Sequence, residues 1–287
     1  MSNPRDLVRI AAERLRAAGV ASAEFDAAEL LAHVLGITRP QLGLVSEMSE
    51  EDRATFDALV ARRASREPLQ HLIGTAWFRY ITVEVGPGVF VPRPETELLA
   101  GWAIEQCGTL VEERAPRNRA LVVDLCTGSG AIAKSIAHEA STATVYAVEM
   151  DPVAHEWATR NLEGTGVDLR LGDMATAFPA LDGAVDVVVC NPPYIPLEAW
   201  ESVAVEARDH DPATALWSGE DGLDAMRVLE RAAARLLRPG GVVGAEHADA
   251  QGVSAPGVFT GTGRWADVRD HLDLAGRPRF LTARLAP

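Results

Sequence analysis

Residues 187–196, VVVCNPPYIP, set an unusual order of chemistry-bearing groups. An apolar run stops at Asn191, two prolines follow, and Tyr194 stands beyond them. Pro192 and Pro193 fix their own φ and restrict the residue before each. They have no N–H to donate, so the stretch offers mostly acceptors. The side-chain oxygen of Asn191 and a backbone carbonyl, that of Pro192, can take the two hydrogens of a planar NH2 group. Tyr194 can stack on or wall the π-system behind it. This suits transfer of a methyl group to an amide or exocyclic amine. The lone pair of such a nitrogen is delocalised, and two rigid acceptors can draw it toward a tetrahedral geometry. Orientation and preorganised electrostatics would each supply on the order of 3–10 kcal/mol. Alone, the stretch also reads as a proline-rich turn closing a strand.

A second loop lies earlier, in residues 122–133, VVDLCTGSGAIA. Thr127, Gly128, Ser129 and Gly130 fall where an apolar strand meets a helix. Side chains are missing at the glycines, so a ligand can lie against backbone N–H groups at the helix N-terminus. Glu149 ends the next strand, where a carboxylate can accept from both hydroxyls of a ribose. Three readings compete: a tight turn without a ligand, a nicotinamide or flavin site of the G-x-G-x-x-A kind, and a site for S-adenosylmethionine (AdoMet). Asp124 favours the third, because a carboxylate there can pair with an α-ammonium group and would repel a pyrophosphate. Asp173 and Met174 close the third strand, placed to meet an adenine. A buried core methionine is the plainer reading of Met174.

These loops need a frame. The chain has 287 residues, 47% of them hydrophobic, enough for one large domain or two modest ones. Residues 1–66 read as helices. Leu7, Ile10, Ala11 and Leu15 share one face, Gly36 stops a second helix, and Ser49 to Asp52 resembles a capping box. Residues 77–92, WFRYITVEVGPGVFVP, alternate around a Gly-Pro-Gly turn and predict a β-hairpin joining two domains. A helix over 95–107 and a charged loop over 108–119 follow. From Ala120 strands and helices alternate, which predicts an α/β fold with a mostly parallel, doubly wound sheet. Ligands in such sheets bind at the carboxyl ends of the strands. Residues 249–265, rich in glycine and small side chains, read as a mobile loop. The expected domains are 1–75, helical and suited to docking a partner, 76–92, a hairpin linker, and 93–287, catalytic.

A formal net charge of -14 argues against general affinity for nucleic-acid backbone or anionic membrane, and fits a basic protein partner. The 3 cysteines, Cys107, Cys126 and Cys190, form no metal-ligand or disulfide pattern, so no metal is expected. With no signal peptide or bilayer-spanning run, the cytoplasm is the expected compartment.

NPPY after this first loop resembles the amino-group methyltransferases. The whole chain resembles one branch, the HemK/PrmC protein-(glutamine-N5) methyltransferases. EPLQHLIG (67–74), VFVPRPETE (89–97), Glu246-His247 and the ending FLTARL carry that likeness beyond the generic fold. The resemblance implies a Rossmann-like, seven-stranded AdoMet-dependent domain behind a helical bundle. It implies methylation of the glutamine in the Gly-Gly-Gln motif of class I peptide chain release factors. By position, residues 126–130, Cys126 included, and Glu149 would bind AdoMet, with Met174 near the adenine. Asn191, Pro192, Pro193 and Tyr194 would hold the glutamine, Asn191 also bordering the cofactor. Phe90 would line the pocket from the other side, though a core phenylalanine is an equal reading. The family usually has glycine where this chain has Cys126; if φ is positive there, the cysteine is strained by roughly 1 kcal/mol or more. Arg93 and Glu95 are expected in an ion pair between domains, and His247 in a structural role. Two rivals stand: an N6-adenine methyltransferase acting on DNA or RNA, which would flip its base, and a non-catalytic AdoMet-binding adaptor.

Overall fold

The computed structural model describes residues 4–112 and 119–287. Of the charged loop expected over 108–119, residues 113–118 lie outside the described residues, and 108–112 are helical instead. Two compact units form, one of Met1–Thr75 with Ala204–His210, the other of Ala76–Val203 with Asp211–Pro287.

The first unit is helical: α1 (Pro4–Ala17), α2 (Ala23–Val34), α3 (Glu50–Ala64) and α4 (Leu69–Ile73), with the short helix Val205–His210 contributed from later in the chain. Leu7, Leu15, Leu30, Leu31, Phe56 and Val60 make its core. Ile10, expected on the same face as Leu7 and Leu15, points outward at 53% exposure. Ser49 caps α3, its hydroxyl accepting from the Asp52 N–H at 3.0 Å. Pro68 immediately precedes α4.

A buried ion network ties this unit together. Arg63 donates through Nε to Asp26 at 2.7 Å, through Nη1 to the Glu67 carbonyl at 3.0 Å, and through Nη2 to Glu206 at 3.0 Å. Arg66 grips Glu206 with two more bonds, at 2.8 and 2.6 Å. Burial opposes charge on Glu206, but the bonds from Arg66 and Arg63 outweigh it and hold the carboxyl down at about 2.

The second unit opens with a hairpin, β1 (Thr75–Phe78) and β2 (Ile81–Glu84). Its turn is Arg79-Tyr80, with Arg79 at φ 51°, not the Gly86-Pro87-Gly88 bend, which follows β2. The hairpin's inward residues, Phe78, Ile81 and Val83, belong to this unit's core. Next come α5 (Thr96–Glu112), five residues longer than the sequence pattern suggests, β3 (Ala120–Leu125), α6 (Ala131–Glu139), β4 (Ala143–Glu149), α7 (Pro152–Leu162), β5 (Asp168–Leu171) and β6 (Val185–Cys190). After α8 (Val205–His210) and α9 (Ala213–Leu216), the chain completes α10 (Asp224–Leu236), β7 (Leu237–Glu246), α11 (Ser254–Thr260), β8 (Trp265–Leu272) and β9 (Pro278–Leu285).

Seven strands make one sheet in the order β5-β4-β3-β6-β7-β9-β8. β5 to β7 run parallel; β9 is antiparallel to β7 and β8. The mostly apolar character of the central strands follows from helices covering both faces. Val122, Val187 and Val189 face one core with α5 and α6, while Val123, Val188 and Cys190 face the other with α10. Asp186, inside β6, is held by the Leu121 N–H at 2.9 Å and Arg238 at 2.6 Å. Pro239-Gly240-Gly241 lies within β7, where the register against β6 shifts.

Residues 249–265 are not a loop. α11 forms there, with Phe259 fully buried and edge-on to Trp265 at 5.1 Å. Two aromatic side chains outweigh the local glycine content. Among the described residues no helix is long and apolar enough to cross a membrane, and no cluster of three His, Cys, Asp or Glu is placed to hold a metal ion.

Replacing Arg63 by alanine removes the partner of a buried carboxylate. It is expected to cost the first unit about 3–5 kcal/mol, read by urea denaturation; a loss below 1 kcal/mol would show the pair to be idle.

Candidate active site

Leu125 pairs with Cys190, the last residue of β6. β3 and β6 sit where the strand order reverses direction, so the loops leaving them, Cys126–Gly130 and Asn191–Tyr194, start side by side. Both sequence-predicted clusters therefore meet at one edge of the sheet.

In the first loop Cys126 adopts φ 59° and Gly128 φ 58°. The condition for strain at the cysteine is met. Its thiol lies 3.7 Å from the Met174 sulfur, so the two residues pack on each other. A Cβ built on Gly128 would meet nothing within 4 Å, whereas one on Gly130 would touch Leu162 at 3.1 Å. Gly130 is thus a packing glycine, and the space beside Gly128 is open. Ser129 is buried, its carbonyl accepting from Asn161 at 2.9 Å; the same amide also holds Glu84 of β2. Asn161 had no motif to flag it, and only the folding of α7 over the loop gives it this task.

Asp124 is fully buried. Its Oδ2 accepts from Thr127 Oγ1 at 2.6 Å and from the Ala133 N–H at 3.1 Å. Oδ1 is buried without a hydrogen-bond partner. Burial above all pushes this carboxyl up to about 7, and the nearby Glu149 adds to the shift. Glu149 accepts three backbone N–H groups: Gly128 at 2.8 Å, Met150 at 2.8 Å and Asp151 at 2.9 Å. A carboxylate has about four acceptor places, so a diol would have to take over the Gly128 bond. Asp173, exposed, caps its own turn through the Ala175 N–H at 2.8 Å. Open space at Gly128, an orphaned carboxylate oxygen and an acceptor at the lip fit a nucleoside carrying a cationic amino-acid tail.

In the second loop Asn191 is half-buried and Pro192 buried. Asn191 Nδ2 donates to Thr96 Oγ1 at 3.4 Å, and Thr96 Oγ1 donates to Glu246 Oε2 at 2.7 Å. Tyr194 Oη donates to the other oxygen of Glu246 at 3.1 Å. Gln251 Nε2 donates to the Tyr194 carbonyl at 3.0 Å, and Ile195 bridges the segment after α9, its N–H donating to the Leu216 carbonyl and its carbonyl accepting from the Ser218 N–H. Burial first, then the Glu246 charge, raises the Tyr194 phenol above its ordinary range. Thr96 and Gln251 were missed in the sequence. Thr96 opens α5 and Gln251 lies in the turn after β7, so only the folded chain brings them to the loop; the register in which Cys190 opposes Ala245 sets Glu246 beside Asn191.

Phe90 is half-buried under the Arg93 guanidinium at 4.8 Å, so it is not a core residue. Arg93 pairs with Asp211 at 2.7 Å, within the same unit, rather than with Glu95. His247 is fully buried, with Nδ1 2.9 Å from the Ala248 carbonyl, a structural contact. The thiols of Cys190 and Cys107 are held up by burial, Cys107 to about 12.

Residues 6–74 match the model of the PrmC N-terminal domain, and 122–210 that of a methyltransferase domain. The chain is 57% identical over 281 residues to a "Release factor glutamine methyltransferase" of Streptomyces coelicolor, covering 96% of each. It is 47% identical to the protein of the same name from Mycolicibacterium smegmatis, over 99% of this chain and 98% of that one. A "4-amino-L-phenylalanine/4-methylamino-L-phenylalanine methyltransferase" of Streptomyces pristinaespiralis is 46% identical over 72% of this chain and 70% of its own.

The left-handed backbone at Cys126 sorts substitutions by shape. Cys126→Gly is expected to stay within about 1 kcal/mol of the parent, and the β-branched Cys126→Val to lose at least about 1–2 kcal/mol in thermal melts. Equal melting of the two variants would refute strain at this position.

Proposed function

The chain belongs to the release factor glutamine methyltransferase family, and we propose that its substrate is the glutamine of the Gly-Gly-Gln motif in class I peptide chain release factors, methylated at N5 with AdoMet as donor. The observation that carries this reading is the pairing of Leu125 with Cys190, which sets the nucleoside loop beside the acceptor loop.

AdoMet supplies a sulfonium methyl that is already electrophilic. The residues of this chain do the rest. Gly128 leaves room against the backbone, and Glu149 accepts from the ribose. The free oxygen of Asp124 meets the ammonium group, and Met174 lies at the adenine side with Asp173 at its edge. Cys126, Thr127, Ser129 and Gly130 shape the turn between them. Asn191 Oδ1, with its Nδ2 committed to Thr96, faces the incoming amide as an acceptor. Pro192 and Pro193 keep the loop stiff, so both acceptors hold their angle while the amide lone pair turns toward the sulfonium. Tyr194 is fixed at its hydroxyl and walls the carboxamide. Phe90 borders the same pocket. The cytoplasm, where release factors act, is the compartment this reading implies.

The relative from Streptomyces pristinaespiralis names an aromatic amino acid as its substrate, so a small arylamine is the competing acceptor. The match of residues 6–74 to the PrmC N-terminal domain favours the release factor. The formal net charge of -14 counts against the adenine reading. An anchored Asn191 and Tyr194 count against the silent adaptor.

The direct test is incorporation of labelled methyl into purified release factor, with Gln→Ala in its Gly-Gly-Gln loop as control. Labelling is expected in the first and absent in the second; equal labelling of both would overturn the target. In the same assay Asn191→Ala is expected to abolish turnover while AdoMet affinity changes by less than about twofold.

Asp124 gives a pH signature. Its raised carboxyl favours the ligand-free fold below the ordinary carboxylate range, and that contribution is lost as pH rises through about 7. An ammonium partner needs the ionised form, so AdoMet affinity should climb as pH is raised through about 7. Calorimetry should show this rise in the parent and a flat profile in Asp124→Asn; a flat parent profile would remove the ammonium from Asp124.

A further inference from the structure

The acceptor role of Asn191 depends on which end of its amide faces outward. Nothing in the residue itself decides this, because the two ends of a carboxamide have the same shape. The geometry points to Glu246 as the positioning residue that decides it, acting through Thr96.

Glu246 ends β7 and is buried at 1% exposure. As a carboxylate it accepts and cannot donate. Thr96 has one hydroxyl hydrogen, and its 2.7 Å contact to Glu246 Oε2 commits that hydrogen. The Thr96 oxygen can then only accept from Asn191, so Nδ2 faces Thr96 and Oδ1 faces the substrate. At 3.4 Å this last bond is long and adds little strength. It acts by excluding the flipped amide, which would set two acceptors against each other. The second oxygen of Glu246 takes the Tyr194 hydroxyl, so one carboxylate aligns both walls of the notch. The same group therefore sets the orientation of the acceptor and of the aromatic wall without touching either substrate.

Protonation reverses the logic. A neutral Glu246 can donate to Thr96, whose hydrogen is then free to turn to Asn191. Burial first pushes this carboxyl up, opposed by the bonds from Thr96 and Tyr194 and by the Arg279 charge on β9, with Glu95 pushing it further; the balance lies at about 7. The charged form is needed for turnover, so kcat at saturating substrates falls as pH drops through about 7.

The role rests on the methyl-transfer reading above, and its test is built to fail separately. Thr96→Val removes the relay and keeps the shape. Thr96→Ser keeps the hydroxyl. Glu246→Gln offers one acceptor where two are needed. Each is titrated with AdoMet, melted, assayed on release factor across pH, and observed at the Asn191 side-chain amide by 15N NMR. Thr96→Val and Glu246→Gln are expected to lose kcat on the order of 100-fold with cofactor affinity unchanged, and the double variant to lose no more than either. Thr96→Ser should recover most of the rate. The fall in kcat below neutrality should vanish in Glu246→Gln, and the Asn191 amide should show a second orientation in Thr96→Val. Parental kcat in Thr96→Val, or losses of rate matched by losses of AdoMet affinity and melting temperature, would overturn the role. If the parent protein fails to label release factor, the substrate reading fails instead, and the amide spectrum still decides the role of Glu246.

Discussion

With Leu125 opposite Cys190 across the two central strands, the loops that leave those strands have no freedom to separate. A sheet slides by whole residues or not at all, because a one-residue slip turns every side chain to the other face. Val122, Val187 and Val189 on one face, with Val123 and Val188 on the other, make such a slip prohibitive. The reacting geometry is thus fixed by core packing at a distance from the chemistry. Asn191 sits beside the nucleoside loop because valines a few residues upstream cannot be anywhere else.

Buried carboxylates divide along the same axis. Asp186, inside β6, is satisfied by a backbone N–H and by Arg238. In the first unit Asp26 is satisfied by Arg63. At the carboxyl edge of the sheet the pattern changes. Asp124 keeps one oxygen orphaned, and Glu246 holds only neutral donors in contact. Both are pushed up to about 7, the first by burial aided by Glu149, the second by burial against Arg279 and its hydrogen bonds. An incompletely compensated charge is costly in a core. It persists where a ligand or a fixed dipole needs it, and here Asp124 and Glu246 flank the two loops of one site.

Strain follows the same geography. Cys126 takes a left-handed backbone that favours glycine, directly at the switch point. Its thiol rests against Met174, so the side chain gains a packing contact that glycine would lack. The turn is kept, and the wall it presents becomes sulfur-rich. Asn161 of α7 then fastens the same turn through the Ser129 carbonyl.

Much of this was legible in the order of residues. Alternating strands and helices announced a doubly wound sheet. Glycines before a helix, an acid ending the next strand and Asn-Pro-Pro-Tyr after β6 announced a nucleoside site and an acceptor loop, because each feature depends on local backbone geometry. Where aromatic burial overruled local composition, the reading failed: α11 replaces an expected loop because Phe259 and Trp265 find each other only in the folded core. The hairpin turn moved from Gly86-Pro87-Gly88 to Arg79-Tyr80 because strand pairing and burial of Phe78 and Val83 set it. The anchors of the acceptor loop were hidden for a similar reason. Thr96, Glu246 and Gln251 are 52 to 150 residues from the loop residues or partners they hold, joined by the folding of the chain rather than by spacing. Residue types sufficed to name the chemistry; which end of Asn191 performs it was decided by three-dimensional packing, since a carboxamide has no preference of its own.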